Sequence, residues 1–314
     1  MHVEILFKPE EILKNSLSGK AAAVFDVLRA TSTIVTALAN GCRAVYPAAE
    51  IEEAREIALA LAQAARDGGT TEQAGKKEEG QPDGRQKAQT GPPEGAPAGP
   101  EPGPPAAEEV LLGGERGGER IPGFPLGNSP LEYGPETVRG KVLVLTTTNG
   151  TRAVRLAAGK TGLLLIGSLL NARATAEKLW ALKKDAVLIC AGTEGGFSLE
   201  DAVAAGVVAG EILRLAQEES GRAPGAGCPG EAPAAAGNVR LSEAAVAAYR
   251  LSQYYGRNFA KAFTDSRHGQ KLLRLGRGED LEYCSRRDVF GIVPFYRDGK
   301  ISICPCEKAG QVLK

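Results

Sequence analysis

The sequence predicts an α/β protein, a largely parallel sheet flanked by helices. Short apolar runs alternate with amphipathic stretches along most of the chain. Each apolar run is followed by a polar turn and then a helix-like segment, the pattern of strand, turn and helix repeated. At 314 residues, the chain exceeds a typical domain of roughly 100–200 residues, so one large or two smaller domains are expected.

The elements follow in order. AAAVFDV (residues 21–27) reads as a buried strand, leading to a helix through residues 33–39 that stops at Gly41. CRAVYP (residues 42–47) is a second strand, and residues 51–65, rich in Ala and Glu, form a helix. VLL (residues 110–112) is strand-like, and KVLVLT (141–146), GLLLIG (162–167) and AVLICAG (186–192) are three further β-rich runs. The tail from Gly291 reads as a hairpin: IVPFY, the turn RDGK, then ISIC. Residues 66–108 and 220–238 are dominated by small, polar and Pro-rich sequence. They hold almost nothing whose burial would offset ordering entropy, so they are expected to be a disordered and a flexible insert.

Lys plus Arg and Asp plus Glu both total 38. This balance gives no electrostatic reason for a nucleic-acid or membrane partner, so any anion site must be local. No apolar run approaches the roughly 20 residues that span a bilayer. MHVEILFKPEEIL lacks the features of a signal peptide. Six scattered cysteines, Cys42, Cys190, Cys228, Cys284, Cys304 and Cys306, fit a reducing compartment, and a cytoplasmic location is expected. Cys304 and Cys306 read as alternating strand residues, since no second Cys/His pair at metal spacing accompanies them.

Ligands of open α/β sheets gather beyond the carboxyl ends of strands. The turns there are unusually polar. The first places Asp26 at a strand end, Arg29 next, and Thr31, Ser32 and Thr33 where a helix begins. Capping explains one such hydroxyl; three beside an arginine make an anion cradle, because free N–H groups and the helix dipole point the same way. GGERGG (residues 113–118) surrounds Glu115 and Arg116 with glycines that let the backbone approach a ligand. TTTNGTR (146–152) brings Asn149, Gly150, Thr151 and Arg152 to a third strand end, and Ser168 with Asn171 follows a fourth. GTEGGFS (192–198) carries Glu194, with Glu200 and Asp201 opening the next helix. Acids at a helix start have an ordinary dipole explanation; recurrence at several strand ends points to a site. Asp26, Glu115, Glu194 and Asp201 offer hard oxygen ligands and the chain has two histidines, which favours Mg²⁺ over Zn²⁺. Arg29, Arg116 and Arg152 suit bidentate binding of phosphate.

Three phosphatase signatures are absent or displaced. Six residues after Cys190 stands Gly196, so Cys-x5-Arg fails, and Asp26 is followed by Val27 and Leu28, so DxD fails. Arg267-His268-Gly269 echoes an RHG motif but sits in a helix-like stretch, with His2 as the other histidine. His268 is therefore read as a substrate contact or a helix cap.

The blocks FDVLRATSTIVTALANG, GGERGGERIPGFPLGNSPLEY, TTTNGTRA, IGSLLNA, CAGTEGGFSLEDAVAAG and SRHGQKLL together resemble the 2-phosphosulfolactate phosphatase family. The resemblance covers almost the whole chain outside the two inserts. It implies a Mg²⁺-dependent hydrolase that converts 2-phospho-3-sulfolactate to 3-sulfolactate and phosphate, a step in coenzyme M biosynthesis. It also implies two α/β lobes with mostly parallel or mixed sheets and the active site in the cleft between them, placed here at residues 1–140 and 141–314. On this reading Asp26 with Glu115 or Glu194 holds the metal, and Glu194 or Asp201 acts as general base. Direct attack by Asp26 through an aspartyl-phosphate is the competing chemistry. Arg29, Ser32 and Thr33 cradle one anionic group and Asn149, Gly150, Thr151 and Arg152 another. Arg116, Asn128, Ser129, Ser168, Asn171 and His268 are further candidate contacts. Two other readings stand beside it: a phosphatase of another 2-phospho-hydroxy acid, and a non-catalytic binder of a phosphorylated metabolite. The second is disfavoured because an anion binder gains nothing from adjacent carboxylates unless a metal intervenes. The expected partner is a small anionic phosphoester; a homodimer is expected on base rate alone.

Overall fold

The computed structural model describes residues 1–69, 109–221, 235–236 and 238–303. Cys228, Cys304, Cys306 and most of both expected inserts lie outside the described residues. The chain forms β1 (His2–Leu6), β2 (Ala21–Phe25), α1 (Ala30–Ala39), β3 (Ala44–Ala48), α2 (Ile51–Gly69), β4 (Val110–Arg116) and β5 (Glu119–Arg120). It continues through α3 (Pro135–Val138), β6 (Val142–Thr146), α4 (Gly150–Ala157), β7 (Leu163–Gly167), α5 (Ala172–Ala181), β8 (Ala186–Cys190) and α6 (Leu199–Glu219). The last elements are β9 (Ala235–Ala236), β10 (Val239–Leu241), α7 (Glu243–Tyr255), α8 (Phe259–Asp265), α9 (Arg267–Arg274), α10 (Gly278–Cys284), β11 (Phe295–Arg297) and β12 (Lys300–Ser302).

The mixed α/β architecture is as expected. The strands β2, β6 and β8 are buried at every position, which is why they read as continuous apolar runs rather than alternating ones. Their side chains still alternate between two cores. Ala21, Ala23 and Phe25 of β2, with Leu188 of β8, face the layer of α5, α6 and α7. Ala22 and Val24, with Ile189, face Ile34 and Leu38 of α1 and Val154 of α4.

All the strands join one 12-stranded sheet in the order β5-β4-β6-β3-β12-β11-β7-β2-β8-β1-β10-β9. It contains two parallel blocks, β4-β6-β3 and β7-β2-β8-β1-β10. The hairpin β11–β12 is inserted between them, antiparallel to β7 on one side and to β3 on the other. The blocks are not consecutive stretches of chain. β6, which follows residue 140, lies between β3 and β4, which precede it, and β2 lies between β7 and β8.

Two local expectations need correction. Helix α2 runs on to Gly69, past the expected start of the first insert at residue 66. Within the second, Ala235–Ala236 pairs as β9 with β10, since a parallel edge strand offers free backbone groups to any adjacent extended segment. Among the described residues no helix is long and apolar enough to cross a membrane.

Helices α6 and α7 approach until their backbones touch: a Cβ at Gly206 would stand 2.0 Å from the Ala248 carbonyl oxygen. Gly206→Ala is expected to cost about 1–3 kcal/mol in urea unfolding, overpacking outweighing the gain of roughly 1 kcal/mol in helix propensity. An unchanged or raised midpoint would refute this close crossing.

Candidate active site

The two sheet blocks run antiparallel to each other, yet the turns after β2 and β6 meet. Gly150, at the start of α4, shows how closely: a Cβ there would lie 2.6 Å from Asp26 Oδ2 and 2.5 Å from Ala30 Cβ. Glycine is required because the N-terminus of α4 rests against the carboxylate. The turns after β2, β4, β6 and β8, together with α9, enclose a cavity of about 260 Å³. Its walls include the expected residues Asp26, Arg29, Glu115, Asn128, Asn149, Glu194 and His268, and also Thr148, Thr193 and Lys271.

Asp26 is 7% exposed. Burial, followed by the negative charges of Glu115 and Glu200, pushes its carboxyl from an ordinary 3.8 up to about 7. The Ala30 N–H and the Arg29 charge oppose this incompletely. Glu115 is buried too, but both of its oxygens are satisfied: Oε2 accepts the Gly118 N–H at 2.7 Å and Oε1 the Thr148 N–H at 2.8 Å. One carboxylate thereby ties the β4–β5 hairpin to the turn after β6.

Arg29 is 3% exposed. It donates Nη1 to Asp280 Oδ2 at 2.7 Å and Nη2 to the Gly118 carbonyl at 2.7 Å. Ser129 Oγ donates to the other oxygen of Asp280. Arg29 Nε and Asn128 Oδ1 remain buried with no protein partner, and such groups call for a ligand or water. His268, mostly buried, is pushed down to about 4 by burial and then by Arg29, so it is neutral near pH 7. Lys271 follows it by three residues, which puts both on one face of α9.

Asp26, Glu115 and Glu194 thus reach one cavity, but Arg152 does not. Its guanidinium is half-exposed and pairs with Glu10 at 2.7 Å. Arg116 bonds the Ala49 carbonyl and Thr146 Oγ1, clamping β4 to the end of β3. The hydroxyls expected to bind anion are spent on backbone: Ser32 on Val27 O at 2.8 Å, Thr33 on Asn128 O at 2.9 Å, and Thr151 on Thr147 O at 2.9 Å. Ser168 and Asn171 form a reciprocal cap, and Asn171 also donates to the Ile292 carbonyl. Short hydroxyl and amide side chains bond whichever backbone group lies nearest in space, and these are fully buried. Asp201 accepts the Val27 N–H at 2.9 Å and the Gly192 N–H at 3.3 Å, bracing two site turns from behind. Glu194 stands at the rim, paired with Arg267 at 2.8 Å. No cluster of three or more His, Cys, Asp or Glu positioned for a metal exists among the described residues. Asp26 and Glu115 remain as a carboxylate pair.

Sequence reasoning missed Lys271, which the i, i+3 spacing from His268 signals. It also missed Asp280, whose partner Arg29 lies 251 residues away and leaves no local sign. Glu200 was read only as a helix-start acid; it is buried behind Asp26.

Known proteins resemble this chain along most of its length. A family model described as 2-phosphosulpholactate phosphatase matches residues 6–81 and 104–299. A Clostridium tetani protein is 34% identical over 96% of this chain and 100% of its own length. One from Carboxydothermus hydrogenoformans is 34% identical over 94% of this chain and 92% of its own. One from Symbiobacterium thermophilum is 36% identical over 91% and 94%. Each is described as "Probable 2-phosphosulfolactate phosphatase".

Two outcomes are expected from this network. Asp280→Ala strands a buried guanidinium and is expected to cost about 3–5 kcal/mol in denaturant unfolding, as for other broken buried pairs; a cost below about 1 kcal/mol, the value of an exposed pair, contradicts the geometry. Asp26, Glu200 and Asp201 are all raised, chiefly by burial. The folded protein therefore holds protons that the unfolded chain releases, and stability is lost as pH rises through the window, from about 4 to about 7 for Asp26. Melting of metal-free protein across that window is expected to show this fall, and Asp26→Asn to flatten it.

Proposed function

The chain belongs to the 2-phosphosulpholactate phosphatase family, and from that premise we propose that it hydrolyses 2-phospho-3-sulfolactate to 3-sulfolactate and inorganic phosphate in the cytoplasm, supplying coenzyme M biosynthesis. It is a phosphoric monoester hydrolase by family. The observation that carries the specific reading is the position of Asp26. A buried carboxyl with its pKa near 7 faces a cavity beside Glu115 and against the start of α4.

Phosphoryl transfer asks a protein mainly for positioning and for neutralising charge. The start of α4, with Thr148 and Asn149 on the wall, supports a seat for the phosphate, since the helix dipole favours an anion there. Two carboxylates beside that seat repel each other and the substrate. This donor set fits Mg²⁺, which is commonly bound by one or two carboxylates, with water and phosphate oxygens completing its shell. Asp26 and Glu115 would hold it; when bound, it neutralises charge on the phosphoryl oxygens. Glu194 is spent on Arg267, and Asp201 on backbone N–H groups. Asp26 is therefore the carboxylate left to orient the attacking water and accept its proton, through whichever oxygen the metal would leave free. Arg29, fixed by Asp280, keeps its orientation without substrate.

Phosphate release from 2-phosphosulfolactate is expected with Mg²⁺ and is expected to vanish with a chelator; no release under any divalent ion defeats the proposal. Asp26→Asn is expected to lower kcat by about 10²–10⁴, the range of general-base catalysis, and a variant at wild-type rate removes Asp26 from the chemistry. An isotopically chiral phosphate separates direct attack by water, which inverts phosphorus, from an aspartyl-phosphate route, which retains configuration.

A further inference from the structure

The cavity lining carries both signs of charge. Asp26 lies against the start of α4, with Glu115 and Glu194 on the same lining. Arg29, His268 and Lys271 line it as well. Arg29 uses Nη1 and Nη2 on Asp280 and on the Gly118 carbonyl, and its buried Nε has no protein partner. Asp280 offsets the Arg29 charge. Lys271 has no acidic partner among the described residues. It is the uncompensated cation on this wall.

Its position is set by packing. Gly118, with φ of 97°, lets α9 settle onto the β4–β5 hairpin. A Cβ there would stand 2.9 Å from Leu275 Cδ1 and 3.8 Å from Leu272 Cδ2. Leu272 is fully buried, which fixes the rotation of α9 and holds the adjacent Lys271 at the cavity. The same Gly118 supplies the carbonyl that holds Arg29, so one turn positions both cations.

We propose that Lys271 Nζ, on the cavity wall beside Arg29, forms a second anion seat, which binds the sulfonate or carboxylate carried by the substrate in addition to its phosphate, and so selects polyanionic phosphoesters. This rests on the phosphatase reading above. A substrate with three anionic groups cannot crowd them all beside Asp26 and Glu115. A sulfonate is permanently charged and a poor metal ligand, so a fixed cation holds it better than a metal ion would. A lysine suits this role, being a compact charge on a flexible stem that reaches either group.

The test compares Lys271→Met and Lys271→Arg with the wild type, all full-length, with melting curves to confirm folding; Lys271→Gln replaces Lys271→Met if that variant unfolds. The substrates are 2-phosphosulfolactate, 2-phospholactate, a phosphoester bearing a sulfonate but no carboxylate, and isopropyl phosphate, which bears neither. The loss in kcat/KM for Lys271→Met is expected to be at least about tenfold greater on 2-phosphosulfolactate than on isopropyl phosphate, the worth of one charged hydrogen bond. It should lie mainly in KM, and Lys271→Arg should recover most of it. Whichever intermediate substrate shares the loss identifies the group in the seat. By calorimetry, 3-sulfolactate affinity should fall about tenfold more than that of inorganic phosphate. Equal losses on every substrate, with sulfolactate affinity undiminished, overturn the seat while leaving the phosphatase reading intact. A wild type that binds 3-sulfolactate through Lys271 but releases no phosphate overturns the phosphatase reading and keeps the seat.

Discussion

Burial of the Asp26 carboxylate is the constraint around which the rest of the site is arranged. Taking a carboxylate out of water is costly unless hydrogen bonds or opposite charge replace the lost solvation. Glu115 receives that replacement, accepting two backbone N–H groups. Asp26 receives an N–H from Ala30 and a share of the Arg29 charge, and Asp201 two backbone N–H groups, but burial outweighs these and pushes both carboxyls up. Of these two raised acids, Asp26 is the one on the cavity wall, while Asp201 braces turns from behind.

The same economy governs the arginines. Arg29 is buried on the cavity wall, where Asp280 and the Gly118 carbonyl fix it and Nε has no protein partner. Arg116 and Arg152 have found other partners, one in the backbone at the end of β3 and one on the exposed surface. A guanidinium near a strand end in sequence becomes a ligand only if the fold leaves one of its donors unspent.

The strands β2, β6, β7 and β8 were legible because burial leaves an unbroken apolar run; β3 and the start of β4 were legible from shorter apolar stretches. The terminal hairpin was legible from its turn. Strands β1 and β10 were not, since polar residues and exposed positions interrupt them. Asp26, Glu115, Asn149 and His268 were readable as strand-end or motif chemistry, and they do meet. Ser32, Thr33, Thr151, Ser168 and Asn171 carry the same residue types at equivalent places. Sequence does not say whether a hydroxyl turns toward a cavity or back to a carbonyl, because that choice depends on the nearest unsatisfied group in space.

Sequence alone determined the α/β class, the order of the main strands, the family blocks and the presence of acids and anion-binding turns at strand ends. These are local matters of periodicity and residue chemistry. Tertiary structure decided which turns share a cavity. A hairpin of a few residues, β11–β12, joins two blocks built from interleaved stretches of chain, and the strands' inherent twist accumulates across that join. The pairing of Arg29 with Asp280, across nearly the full chain, was settled there as well. Such contacts arise from packing between distant segments, and no local pattern encodes them.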